Sequence, residues 1–192
     1  QQLIAVSTEQ GFAVWLIVGQ LFAGWARAMQ GDSTAPYQME NVLRSPMIQS
    51  STRVSLLSRV VEAYLRFNLF PEAAAVLGEA EQRCEHWGER FWEAELLRLR
   101  SKLQLHAAPD DVATAAATIR QGMEVAKSQG ALALQLRAAM ELAGLLRMQL
   151  RHHEAVALVQ GVFNQFTEGF GTHDLEQAAQ MIQQLTAEMA AQ

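Results

Sequence analysis

The chain has 192 residues, half of them apolar and 18% charged, which is the composition of an ordered globular protein and not of a disordered segment. A net charge of −5 argues against the basic face of a general nucleic-acid binder, so no nucleic-acid partner is expected. A lone cysteine, Cys84, excludes an internal disulfide and suits a reducing, cytoplasmic setting.

In chain order, "QQLIAVSTEQG" reads as the last turns of a helix stopping at Gly11, which leads to the expectation that the chain is cut from a longer protein. "GFAVWLIVGQLFAGWA" at 11–26 carries no charge, yet it holds Gln20 and falls short of the roughly 20 residues a membrane span needs. Glu9 stands where a secretory signal would have a basic flank, so this stretch is expected to be a core helix and no membrane contact is foreseen. Further breaks fall at Gly31-Asp32, Asn68 with Pro71, Gly88, "APDD" at 108–111, Gly130, Arg151, and Gly169 to Thr172. Between them Ala, Leu, Gln, Glu, Met and Arg recur at the helical period, and no convincing alternating strand appears. Short loops make successive helices antiparallel neighbours. The expected organisation is a single helical repeat domain over 1–192, with hairpins at 12–48, 51–87, 90–128 and 131–168 and a capping helix at 173–190.

A repeat underlies these breaks. Gly88 and Gly130 are 42 residues apart, and Gly11 lies 77 before Gly88, close to two such periods. Val60 and Tyr64 precede Ala73, Leu77 and Ala80; Leu142, Ala143 and Leu146 precede Ala155 and Val159 in the same register. Large residues on one helix thus face small ones on the next. Residues 92–126 keep the pattern less well. The first unit departs most, with Pro36 where a small alanine belongs; Pro36 is expected in the first turn of its helix, after Ser33 or Thr34 as cap.

"GERFWEAELLRLRSKL", "EVAKSQGALALQLRAAMELAGLLR" and "FNQFTEGFGTHDLEQAAQMI" together resemble the C-terminal tetratricopeptide-repeat (TPR) region of large bacterial signal-transduction ATPases. The resemblance covers nearly the whole chain, strongest from Gly88 onward and weakest around 33–52. In that family the region follows a P-loop ATPase module, often with a nucleotide-cyclase or DNA-binding domain. The resemblance implies a helical scaffold with a regulatory role and names no ligand. The expected fold class is an all-α, right-handed TPR-like α-solenoid of about four hairpins plus the capping helix.

No catalytic motif stands out. "GMEVAKS" at 122–128 has Ala126 where a phosphate loop needs its second glycine. Cys84 with His86, and His152 with His153, lack a second ligand pair at zinc spacing; the two adjacent histidines read as solvated turn residues. Cys84 reads as a packed small residue, and Ser55, Ser58 and Ser101 have no nucleophile elbow around them. Asp110 and Asp111 read as capping residues. "FTEGFGTHDLEQA" at 166–178 reads as a corner, with Gly169 ending one helix, Thr172 capping the next and Phe170 plugging the space between. Trp15, Trp25, Trp87 and Trp92 read as packing residues, Trp25 least securely. No enzyme activity, cofactor or metal is expected.

The first helix of each hairpin would line a groove. With the register set by Tyr64 and Leu146, that wall holds Ser58, Glu62, Arg66, Arg137, Met140, Arg147 and Met148. The third unit adds Glu95, Arg98 and Lys102, and the first adds Leu21, Trp25 and Met29. Five cations against two carboxylates form a locally basic trough, suited to an acidic peptide, a carboxylate terminus or another anion, although a merely solvated face fits the same pattern. The functional expectation is a protein-interaction or sensor module regulating an attached ATPase, cyclase or transcription-factor domain, its partner being another protein or the upstream domains of its own parent. The alternative is a homo-oligomerisation module that uses the apolar edge at 3–26.

Overall fold

The computed structural model describes residues 1–45 and 52–190, so the expected hairpin ends at 48 and 51 lie outside the described residues. Among the described residues the chain is all-helical: ten α-helices, one 3₁₀ turn and no strand. It divides into two compact units after Trp92.

The first unit contains α1 (Gln2–Glu9), α2 (Ala13–Met29), α3 (Ala35–Leu43), α4 (Arg53–Arg66), α5 (Phe70–Trp87) and the 3₁₀ turn Arg90–Trp92. Each helix packs on the next, and α2 also packs on α4. Tyr64 on α4 is fully buried, as are Ala73 and Ala80 on α5, which packs on α4. Pro71 lies in the first turn of α5, where its missing N–H costs no hydrogen bond. Pro36 holds the same place in α3, as expected, and Thr34 is the N-cap residue, but the Thr34 side chain makes no capping hydrogen bond. Asp32 accepts from the Thr34 backbone N–H at 3.0 Å and from its hydroxyl at 2.7 Å, so an Asp turn, and not a Ser33 or Thr34 side chain, opens this helix.

The second unit contains α6 (Glu93–Ala107), α7 (Val112–Ser128), α8 (Leu132–Met148), α9 (His152–Phe163) and α10 (His173–Ala190). Neighbours pack in sequence, and α6 meets α8 as α8 meets α10. The core gathers Ile119, Leu136, Leu142, Leu146, Val159 and Leu185 around buried alanines. Asp111 caps α7 by accepting from Thr114 N at 3.1 Å, and hydrogen bonding by Thr114, through its side chain first and then its backbone, holds the Asp111 carboxyl below the usual range. A Cβ on Gly122 would stand 3.1 Å from the Ala94 carbonyl, so glycine lets α7 approach α6 closely.

Two corner types recur along the chain. Gly11, Gly88 and Gly130 all have φ between 65° and 70°, and each accepts a hydrogen bond from the residue two ahead. The other type sits inside hairpins. Tyr64 O accepts from the amides of Phe67 and Leu69, and Leu65 O from Asn68. Leu146 O accepts from Gln149 and Arg151, and Arg147 O from Leu150, in the same pattern. Asn68 and Leu150, 82 residues apart, are the left-handed residues of these corners, with φ of 57° and 59°.

Several packing expectations need correction. Trp15 and Trp87 are 58% and 68% exposed, so neither is a packing residue. Leu21, assigned to the groove wall, is fully buried in the first unit. Phe170 touches Phe163, ring centres 5.8 Å apart, but keeps half its surface in solvent. Gly169 is left-handed, but α9 already stops at Phe163 with Asn164 as a right-handed cap, so Gly169 belongs to the loop before α10 and is not the expected helix stop; Cys84 is buried as expected. No helix among the described residues is long and apolar enough to cross a membrane.

Candidate functional site

The residues expected to line a groove fall into three settings. In the first unit Glu62 accepts from Trp25 Nε1 at 3.0 Å and from Arg59 Nη1 at 2.8 Å. The Arg59 guanidinium lies 5.6 Å from the Trp25 ring centre and 5.7 Å from that of Trp92, held between two indoles. Trp92 Nε1 in turn donates to Ser58 Oγ at 2.7 Å, and Ser58 is buried. This cluster is an internal brace. Trp25 and Trp92 present their faces to the chain's own arginine, so they are occupied packing residues. Arg66 stands exposed in the last turn of α4, where a cation complements the helix dipole.

In the second unit, three of the expected trough cations come together, but not as an open basic surface. Arg98 grips Glu95 through Nε and Nη2, both at 2.9 Å, and reaches Glu141 through Nη1 at 3.2 Å. Arg137 reaches Glu95 at 3.1 Å, and Lys102 reaches Glu141 at 2.9 Å. Glu95 is 1% exposed and Arg98 5%, so this is an interior network crossing from α6 to α8. Three cations meet two carboxylates. The expectation of a solvent-open trough is therefore corrected here: carboxylates of the chain itself already occupy the guanidiniums. Glu141 was the missed residue. It lies four positions after Arg137 on α8, and that spacing alone puts both charges on one helix face. Met140 is half-buried against the core beside this network.

The third setting is the end of α8 against α10. Arg147 binds Glu188 through Nε at 2.9 Å and through Nη2, tying α8 to the last turns of α10. His152, expected in solvent, is buried, and its Nδ1 lies 3.1 Å from Glu188 Oε2. The Arg147 hydrogen bond, helped by the charges around it, holds the Glu188 carboxyl below the usual range. Beside this lock opens a cleft of about 400 Å³, walled by Ala143, Gly144 and Met148 of α8, by Leu150 of the corner, and by Met181 and Leu185 of α10. Met148 and Leu150 are 64% and 74% exposed at its edge. Among the groups expected to face a groove, Arg66, Arg147 and Met148 are exposed, while Lys102 is partly so.

No family model matches this chain. It is 34% identical over 122 residues to an uncharacterized protein of Rhizobium meliloti (strain 1021). That alignment covers 62% of this chain and 12% of the other protein, so the chain spans only a small part of the relative it matches.

Proposed function

We propose that this chain is a non-catalytic helical-repeat module of the tetratricopeptide-like kind, which holds a protein partner and so regulates catalytic or DNA-binding domains attached to it in a cytoplasmic signalling protein. The observation that carries this reading is the return of one corner geometry at Asn68 and at Leu150, 82 residues apart, inside hairpins whose first helices stack on first helices within each unit. Hairpins repeating in this way expose one helix face after another, which suits recognition of an extended partner. The 12% share of the Rhizobium relative supports a place within a much larger chain. The partner-facing groups are the exposed cations and apolar side chains left outside the ion-pair network, with Arg66 the cation to test. Capture of partners from a bacterial lysate by wild type, compared with Arg66→Gln, tests it. Loss of specific partners with nearly unchanged melting is expected, and an identical retained set would overturn the role of this cation.

A second reading, self-association, draws on one observation. Phe12, Trp15 and Phe22 of the α1–α2 region are each about half exposed, together with Leu3 and Val6. Light scattering of wild type and Trp15→Glu separates the two readings. A wild-type dimer that the substitution dissolves favours self-association, and monomers in both favour the partner-holding module.

A further inference from the structure

The cleft between α8 and α10 has features that packing alone does not require. Leu150 adopts the left-handed backbone that Asn68 adopts at the equivalent corner, yet a leucine side chain has no polar atom to hydrogen-bond the local backbone in return for the strain. Its side chain is not buried in compensation, because 74% of it faces solvent at the mouth of the cleft. Met148, a flexible apolar side chain, stands 64% exposed beside it. The floor is open as well: a Cβ placed on Gly144 would meet nothing within 4 Å. The volume of about 400 Å³ falls in the range of small-molecule sites.

Polarity selects the ligand class. The wall is apolar except for Arg147 and Gln184. Glu188 engages Arg147 through Nε and Nη2, which orients the guanidinium and leaves its Nη1 edge for a second acceptor. His152 Nδ1 lies 3.1 Å from the same Glu188 carboxylate. An apolar slot with an oriented arginine at its edge is complementary to an aliphatic chain ending in an anion.

We propose that this cleft binds a small aliphatic carboxylate, a medium-chain fatty acid in chemical class, with the chain over Gly144 among Met148, Met181 and Leu185 and the carboxylate on Arg147. The site needs neither a protein partner nor attached domains, so it stands apart from the reading above. Decanoate is the probe, and the readout is the NMR signals of isotopically labelled methionine methyls in the full chain, assigned by Met148→Leu and Met181→Leu. Saturable shifts are expected at Met148 and Met181, with Met39, buried in the first unit, unmoved. Gly144→Leu fills the slot without a backbone clash and should abolish the shifts. Arg147→Gln should weaken decanoate about tenfold or more, and decanol should bind wild type correspondingly weakly. Unmoved Met148 and Met181 signals, undiminished binding by Gly144→Leu, or decanol binding as tightly as decanoate would each overturn the proposal.

Discussion

Ser58 and Tyr64 illustrate how far a side chain's role depends on its partners. Tyr64 is fully buried, its hydroxyl donates to Glu40 at 2.6 Å, and its ring meets Tyr37 edge-on at 5.4 Å. Burial and the Glu40 carboxylate both push its phenol well above the ordinary range, so it stays a donor at any physiological pH. Tyr64→Ala should cost about 3 kcal/mol or more, because removing a fully buried ring leaves a cavity behind. Read from periodicity alone, Ser58 belongs on a solvated wall, where alanine is nearly neutral. In the fold it accepts from Trp92, so Ser58→Ala strands a partly buried indole N–H and should cost about 1 kcal/mol. Chemical denaturation of both variants measures the difference. A neutral Ser58→Ala would remove the Trp92 hydrogen bond from the list of stabilising contacts.

The buried network follows the same logic with larger stakes. Glu95→Gln leaves Arg98 and Arg137, both largely buried, short of a charge, and should cost about 3 kcal/mol or more. Lys102→Ala, at the network's wetter end, should stay within about 0.5 kcal/mol. The large and small residues of the α4–α5 and α8–α9 hairpins were legible in the sequence because they recur at helical spacing. The network was not, because its ion pairs join α6 to α8, about one repeat apart, and such pairs show only once the repeat length is applied to charges. Glu95 and Arg98, three apart, and Arg137 and Glu141, four apart, were the available signal.

At the scale of elements, corners and the last helix carry the predictions. Asn68 and Leu150 occupy one corner geometry with unequal fitness for it, since asparagine tolerates the left-handed region and leucine does not. Leu150→Asn should therefore stabilise the chain by roughly 0.5–1 kcal/mol, and Asn68→Leu should destabilise it by a similar amount. Equal melting points for the two variants would mean the corners are not equivalent. α10 is held at its far end by Glu188, whose carboxyl ionises below its ordinary value of 4.5 because Arg147 binds the charged form. A depressed folded value makes this contribution present above that ordinary value and lost as pH falls through the folded one. Hydrogen exchange should accordingly quicken in the last turns of α10 as pH is lowered from 6 to 3, beyond the intrinsic pH effect measured on an unstructured reference. Glu188→Gln should remove that acid-dependent change, and its persistence in the variant would assign it to another group. A break near Gly169 was readable from composition, although α9 itself stops earlier, at Phe163. Burial of His152 was not, because nothing local distinguishes it from its exposed neighbour His153; only the return of α10 covers one and leaves the other wet.

For the whole molecule, the division after Trp92 has a spectroscopic consequence. All four tryptophans, at 15, 25, 87 and 92, belong to the first unit, so indole fluorescence reports that unit alone while the helical circular dichroism signal sums both. Repeat arrays lose all-or-none behaviour when the coupling between neighbouring blocks is weaker than the stability of each block. Both units bury an aliphatic core, and the second adds the buried network of Glu95, Arg98 and Arg137. The first leaves Trp15, Phe12 and Phe22 about half in water. Fluorescence should therefore reach its denaturant midpoint first, with the dichroism change completing at a higher concentration. Glu95→Gln should move the later transition toward the earlier one and leave the fluorescence midpoint in place, because the network lies wholly in the second unit. If the two probes coincide in wild type and shift together in Glu95→Gln, the chain unfolds as one cooperative block, and the boundary after Trp92 is only a thinning of contacts with no energetic consequence.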